Sequence, residues 1–309
     1  MTRQTVTLLV PAYNEEQNIK LLFNKIKKVF EKIRLDWRII FVDDGSSDGT
    51  YKRMKELQDA NSNVSLIRFH ANYGKSAALD AGFKLSQSDI IITMDADLQD
   101  DPEEIPRFIN KINSGLDVVS GWKHKRKDPY AKKIPSKIFN SLASFLTGVK
   151  IHDFNCGFKA YKRIVVKNIK LYGDMHRYVP VLAASKGFRV GEIKVKHHKR
   201  KYGKSKYGFS RLFKGTFDLI TTTFFMKYSK SPLHLFGLFG MFSFLLGFLG
   251  GLYIIWLKLQ GLSVGDRPLL YLVMLLLIVG IQFVSLGLLA EMMIKGKETE
   301  FYIIDEKRE

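Results

Sequence analysis

The chain has 309 residues, with 49 Lys and Arg against 30 Asp and Glu, a formal net charge of +19. That length suits about two structural units. Its 46% hydrophobic and 13% aromatic content excludes intrinsic disorder, and its single cysteine, Cys156, excludes an intrachain disulfide framework and a Cys-rich zinc site. The apolar residues are unevenly spread: 1–231 is mixed and polar, whereas 232–290 is almost wholly apolar, which excludes a freely soluble globular protein.

The first 120 residues alternate strand and helix patterns. Apolar runs bounded by turn residues predict strands at Val6–Val10, Trp37–Val42, Val64–Phe69, Ile90–Met94 and Val118–Ser120. Helical patterns lie between them at Glu16–Lys32, Thr50–Asp59, Ser76–Leu85 and Glu103–Asn113. Such alternation predicts an α/β fold with right-handed crossovers and a mostly parallel sheet. Beyond residue 121 the pattern turns irregular and basic, with helices placed only near Ser136–Leu146 and Val179–Lys186. The short apolar run Thr5–Val10 has no charged leader before it, so a signal peptide is not expected.

Polar clusters fall directly after predicted strands. Pro11-Ala-Tyr-Asn-Glu-Glu16 follows the first, Asp43-Asp-Gly-Ser-Ser-Asp-Gly49 the second, and Asp95-Ala-Asp-Leu-Gln-Asp-Asp101 the fourth. In an open parallel sheet the carboxyl ends of the strands line the edge where ligands bind. Three acidic turns at one edge repel one another unless a cation sits among them. If the chain stays extended there, Asp95 and Asp97 point to the same side and present oxygen to a hard divalent ion such as Mg²⁺. Neither a G-x-G-x-x-G nor a Walker phosphate loop opens any helix, so dinucleotide redox chemistry and P-loop phosphoryl transfer lose their usual signatures.

Leu235–Leu257 and Pro268–Ala290 are each 23 residues without a basic or acidic side chain. As helices they would reach roughly 34 Å, enough to cross a bilayer core of about 30 Å. Arg211, Lys214, Lys227 and Lys230 precede the first span, and Lys295, Lys297, Lys307 and Arg308 follow the second. The loop between them carries only Lys258 and Arg267, partly offset by Asp266. This asymmetry predicts cytoplasmic termini and a cytoplasmic N-terminal domain. Just before the first span, Arg211–Met226 interleaves apolar side chains with cations, as in an amphipathic helix lying in the headgroup region.

Two basic runs lead to the membrane: Lys123–Lys137 with seven Lys and Arg, and Lys194–Lys214 with nine. They are expected to divide between adhesion to anionic lipid, worth about 1 kcal/mol per residue at the surface, and a phosphate pocket. Nucleic-acid binding is the other use of such runs, and the membrane spans and acidic crevice argue against it. His70, His124, His152, His197 and His198 share no helical face suited to zinc, while His176 stays open because Arg177 adjoins it. Cys156 precedes Gly157 in a turn and is assigned to packing. Gly237, Gly240, Gly247, Gly250 and Gly251 suit close contacts with the second span or with another protomer, so self-association is permitted.

Pro11-Ala-Tyr-Asn-Glu, Val42-Asp-Asp-Gly-Ser-Ser-Asp-Gly-Thr50, Asn72-Tyr-Gly-Lys75 with Asp80-Ala-Gly82, and Asp95-Ala-Asp-Leu-Gln-Asp occur in order. Together they resemble the GT-A catalytic domain of family 2 glycosyltransferases. Downstream, Asp153-Phe-Asn-Cys-Gly-Phe-Lys159, His176-Arg-Tyr-Val-Pro180 and Arg200-Lys-Tyr-Gly-Lys-Ser-Lys-Tyr207 resemble the polyprenyl-phosphate glycosyltransferase branch, with its dolichyl-phosphate mannose synthases and GtrB-like and ArnC-like bacterial enzymes. The resemblance implies a GT-A domain over 1–210, an interfacial region over 211–231, two transmembrane helices within 232–290 and a tail over 291–309. It implies that Pro11, Tyr13, Glu15, Asp44, Lys75 and Asp95 bind the nucleotide, with Asp44 accepting from the base. Asp95, Asp97 and Gln99 would hold Mg²⁺ or Mn²⁺ and the sugar diphosphate, and Asp97 and Asp153 would be catalytic. Lys123, Lys133, Arg177, Arg200 and Lys206 would meet the acceptor phosphate or the leaving diphosphate. One departure is Gly121-Trp122-Lys123, where such enzymes often carry Gly-x-Arg; a lysine offers a point charge instead of a bidentate fork.

The implied activity is inverting transfer of a sugar from a nucleotide-sugar, with UDP favoured, to undecaprenyl or dolichyl phosphate at the cytoplasmic membrane face. A GDP-mannose-dependent dolichyl-phosphate mannose synthase is the alternative. A processive polysaccharide synthase fits less well, because its Gln-x-x-Arg-Trp motif is absent. A non-enzymatic tether for acidic partners is the third reading.

Overall fold

The computed structural model describes residues 4–124, 144, 147–171, 173, 175–198 and 231–295. The chain divides into two compact units, Met1–Thr223 and Phe224–Glu309. The expected helix at Ser136–Leu146 and the interfacial helix at Arg211–Met226 lie outside the described residues, apart from Ser144.

In the first unit, β1 (Thr5–Ala12), β2 (Asp36–Asp43), β3 (Val64–Arg68) and β4 (Ile90–Thr93) alternate with α1 (Glu16–Ile33), α2 (Thr50–Ala60) and α3 (Lys75–Leu85). The expected Glu103–Asn113 helix divides into a 3-10 turn at Pro102–Glu104 and α4 (Ile105–Asn113). Then follow β5 (Val118–Trp122), β6 (Lys159–Lys162), α5 (Arg163–Lys167), α6 (Val179–Ser185) and β7 (Val190–Lys194). The seven strands lie in the order β3-β2-β1-β4-β6-β5-β7. β1 pairs in parallel with β2 and β4, β2 with β3, and β5 with β7, while β6 runs antiparallel between β4 and β5. The sheet is thus mostly parallel, as predicted, with β6 reversed.

Alternating side chains send each strand into two cores. Val6, Leu8 and Val10 face Leu22 and Ile26 of α1, Met54 of α2 and Phe108 of α4. Leu9, Ile40 and Ile91 face Ala78, Leu79 and Phe83 of α3, Val165 of α5 and Val179 of α6. Helices therefore cover both faces, which explains why the central strands are unbroken apolar runs.

The second unit is a pair of helices, α7 (Pro232–Leu259) and α8 (Pro268–Lys295). Both are long and apolar enough to cross a membrane. The most apolar window of each is only 17% buried, unlike the core helix of a soluble protein, and Phe239, Met241, Leu272 and Ile281 stand exposed. Apolar side chains all round a helix suit a lipid solvent, so both helices are candidate membrane spans. The glycines serve contact between the two spans: a Cβ at Gly240 would lie 2.7 Å from the Gly280 carbonyl oxygen and 2.8 Å from Val284. Replacing Gly240 by leucine should therefore lower the thermal unfolding midpoint in detergent. Gly237→Leu is the control, because a Cβ there meets only Leu233 carbons, at 3.7 and 3.9 Å. Equal midpoints for the two variants would contradict this packing.

Candidate active site

Because β1 to β4 are parallel, all four deliver their carboxyl ends to one edge of the sheet. The turns after β1 and β2 are laced together there. The Asn14 N–H donates to Ser46 Oγ at 2.9 Å, the Ser47 N–H to Asn14 Oδ1 at 2.8 Å, and the Glu15 N–H to Thr50 Oγ1 at 2.8 Å. Asn14 adopts a positive φ of 55°. Pro11 lies near the end of β1 and Tyr13 in the laced turn after it, and the Glu15 carboxylate accepts from Asn18 Nδ2 at 2.6 Å.

Asp44, 5% exposed, accepts from the backbone N–H groups of Tyr73 at 2.7 Å and Gly74 at 3.0 Å. Burial raises its pKa against the pull of those two donors. The next residue, Lys75, opens α3 and forms an ion pair with Asp95. Residues proposed for opposite ends of a nucleotide are thus joined through one short turn.

The DxD segment departs from the expected extended geometry. β4 ends at Thr93, and Ala96 and Asp97 lie in a turn with Leu98 at φ 60°. The turn still sets Asp97 beside Asp95: burial, then the neighbouring Asp95 charge, push Asp97 up to about 6. Burial also opposes ionisation of Asp95, but the Lys75 and Lys123 ammonium groups outweigh it and hold that carboxyl well below the usual range. Gln99 turns its amide towards the 197–198 segment, its Nε2 lying 3.4 Å from His197 Nε2 and 3.3 Å from the His198 carbonyl oxygen.

Asp100, given no role from sequence, is 2% exposed, and among the described residues neither of its carboxylate oxygens has a hydrogen-bond partner. Its compensating charge is Lys123 Nζ at 3.3 Å. Burial alone would lower the Lys123 pKa, yet Asp100, Asp95 and Asp153 raise it, so the side chain stays charged. Lys123 is therefore enclosed against the acidic turn, with its side chain 12% exposed.

Asp153 is buried, and its Oδ1 accepts from the Asn155 N–H at 3.1 Å. Arg177 is 5% exposed and adjoins His176, whose Nδ1 lies 3.0 Å from Ser76 Oγ. Burial, Lys75 and Arg177 hold His176 well below its ordinary pKa, so its imidazole is neutral. Burial pushes the Cys156 thiol up to about 12, which suits packing and not nucleophilic chemistry. Lys133, Arg200 and Lys206 lie outside the described residues.

Three further residues shape the site. A Cβ at Gly157 would lie 2.6 Å from both Asp95 carboxylate oxygens and 2.7 Å from Lys75 Nζ, so a larger residue there would have to displace that pair. Lys159 is buried in β6 and donates to the carbonyls of Phe154 and Cys156, stapling the loop that carries Gly157; burial pulls its pKa down to about 8. Glu192 of β7 accepts from the His152 backbone N–H at 2.7 Å and pairs with its ring, fixing the residue before Asp153. Trp122 stacks on the same imidazole with centroids 3.9 Å apart. Gly157 and Lys159 stood inside a motif visible in the sequence, whereas nothing local marked Glu192.

Residues 7–170 match the model of the glycosyl transferase family 2. Over 296 residues the chain is 37% identical to a dodecaprenyl-phosphate galacturonate synthase of Rhizobium johnstonii, covering 93% of this chain and 87% of that one. It is 34% identical to an undecaprenyl-phosphate 4-deoxy-4-formamido-L-arabinose transferase of Proteus mirabilis, with the same coverage. Among solved structures, glucosyl-3-phosphoglycerate synthase of Mycobacterium tuberculosis in complex with Mn²⁺, UDP and phosphoglyceric acid superposes with a TM-score of 0.55. At 16% identity, covering 73% of this chain and 78% of that one, it shares the fold, which is GT-A.

The donor set fits a divalent cation. Asp95 and Asp97 repel each other, and the Asp97 carboxylate accepts from the Gln99 N–H at 3.1 Å. Among the described residues no group of three or more His, Cys, Asp or Glu could hold a metal alone. Two carboxylates completed by water and phosphate oxygens are the usual Mg²⁺ arrangement. In metal-free protein this repulsion should be measurable. Asp97 ionises near pH 6 in the fold against an ordinary 3.8, so its penalty is small at pH 4 and complete above pH 7. Asp97→Asn should stabilise the EDTA-treated protein by on the order of 1–3 kcal/mol at pH 8 and by much less at pH 4. Thermal melts at both pH values check this, and a variant less stable at pH 8 would contradict it.

Proposed function

The chain belongs to glycosyl transferase family 2 and is a glycosyltransferase, and from that premise we propose that it moves a sugar from a nucleotide-sugar to a polyprenyl phosphate. UDP-sugars are the favoured donors, and Mg²⁺ or Mn²⁺ the favoured cofactor. The observation that carries this reading is the self-repelling Asp95–Asp97 pair at the carboxyl edge of the sheet, with cationic side chains packed around it. The polyprenyl acceptors named in both relatives, and the two apolar helices, support the lipid side of the reading.

The chemistry places modest demands on a base. A phosphate monoester has a second pKa of about 6, so the acceptor is largely dianionic at neutral pH and is already a nucleophile. Catalysis then rests on orienting the acceptor and neutralising the departing diphosphate. Asp95 and Asp97 would hold the divalent cation, which when bound supplies Lewis-acid neutralisation of the leaving group. Lys75 and the buried Arg177 add positive charge near that edge. Asp153 orients sugar or cation instead of removing a proton, and direct displacement inverts the anomeric centre. Lys133, Arg200 and Lys206 are assigned to the acceptor phosphate. The basic flanks of the two helices support a cytoplasmic position for this unit, taken as 1–210, with 211–231 read as interfacial.

A panel of UDP- and GDP-sugars with purified protein, undecaprenyl phosphate and Mn²⁺ tests the reading. One UDP-sugar should yield a single-sugar lipid product of inverted anomeric configuration, lost on EDTA treatment. Asp97→Ala should lower turnover by at least about 10²-fold. Asp153→Asn should remain within about tenfold of the parent, below the usual loss of a general base. A long polymer product, or full turnover in Asp97→Ala, would overturn the proposal.

A further inference from the structure

Lys75 stands where a cation is needed, and its placement carries a consequence for how the site fills. Its ammonium pairs with Asp95, the first carboxylate of the proposed metal-binding pair. The two side chains are 26% and 31% exposed, so the pair is partly accessible to solvent. Gly157 packs against it, where a Cβ would have to displace the pair. Lys75 also follows directly on Tyr73 and Gly74, whose N–H groups are gripped by Asp44 at the proposed base-binding end. The ammonium is therefore tied by one turn to one end of a nucleotide and by its charge to the other.

A divalent cation and an ammonium group cannot share one carboxylate without strong mutual repulsion. We propose that Lys75 is the resident counter-ion of Asp95 in the donor-free protein, and that the nucleotide diphosphate draws it away so that divalent cation and nucleotide enter the site together. The long, flexible lysine stem can follow its charge from the carboxylate to phosphate oxygens, whereas a fixed guanidinium fork would be less suited to the exchange. The arrangement spares the donor-free protein an uncompensated carboxylate at Asp95, and it makes cation affinity conditional on nucleotide. This inference rests on the metal-dependent reading above and adds to it a coupling between cation and nucleotide binding.

Mn²⁺ binding to the full-length protein in detergent, followed by loss of the free-ion electron paramagnetic resonance signal, tests it without reference to turnover. Saturating UDP, with GDP as a parallel arm, should tighten Mn²⁺ binding by the parent protein by about tenfold or more. Lys75→Met should bind Mn²⁺ without nucleotide about tenfold more tightly than the parent, with most of the nucleotide effect gone. Lys75→Gln should behave as Lys75→Met does, and thermal melts establish that both variants are folded. If the parent binds Mn²⁺ with nucleotide but neither variant gains affinity without it, the counter-ion role is wrong and the metal reading survives. A parent affinity indifferent to both nucleotides also overturns the counter-ion role. If Mn²⁺ binds under none of these conditions, both readings fall together.

Discussion

Three carboxylates, Asp95, Asp97 and Asp100, crowd the turn after β4, and their mutual repulsion in a poorly solvated setting is the constraint that organises the rest of the site. Unpaired charges in such a setting cost several kcal/mol each, so counter-charges must come from elsewhere in the fold. Lys75 at the start of α3 supplies one to Asp95, and Lys123 at the end of β5 supplies another to Asp100. Asp97 is left with a raised affinity for a proton, and by the same physics for a metal ion. His176 stays neutral beside them because it is buried and its neighbours Lys75 and Arg177 are already cationic.

The sheet topology makes this arrangement possible. Parallel pairing of β1, β2 and β4 brings three turns to one edge, and the reversed β6 lets the 153–158 loop enter from that same edge. Thr93 Oγ1 donates to the Gly157 carbonyl at 2.8 Å, tying the loop to the end of β4. Lys159 anchors the loop from below through two carbonyls. A buried lysine between strands looks wasteful as packing, yet it satisfies carbonyls that no strand partner reaches.

How much could be read in advance depended on how local the signal was. β1 to β5 were legible because strands covered on both faces are continuous apolar runs. β6 was not: Lys159-Ala-Tyr-Lys162 carries two lysines, and its burial is set by β4 and β5 on either side. β7, Val190–Lys194, is a half-exposed edge strand with glycine and glutamate inside it. The acidic turns were visible as motifs, but the idea that Asp95 and Asp97 align on an extended strand failed, because β4 stops two residues earlier. The pairings Lys75–Asp95, Lys123–Asp100 and His152–Glu192 join residues 20 or more positions apart, which neither spacing nor composition encodes. The apolar spans were the plainest signal, although what sets them apart from ordinary core helices is their 17% burial, which the sequence does not show.

Crystals of the full-length protein grown with Mn²⁺ and UDP, measured for manganese anomalous scattering, bear most directly on the central proposal. One anomalous peak should lie at coordination distance from the Asp97 carboxylate and from the diphosphate, with Asp95 beside it. A peak remote from both aspartates, or UDP bound away from the edge formed by β1, β2 and β4, would contradict it.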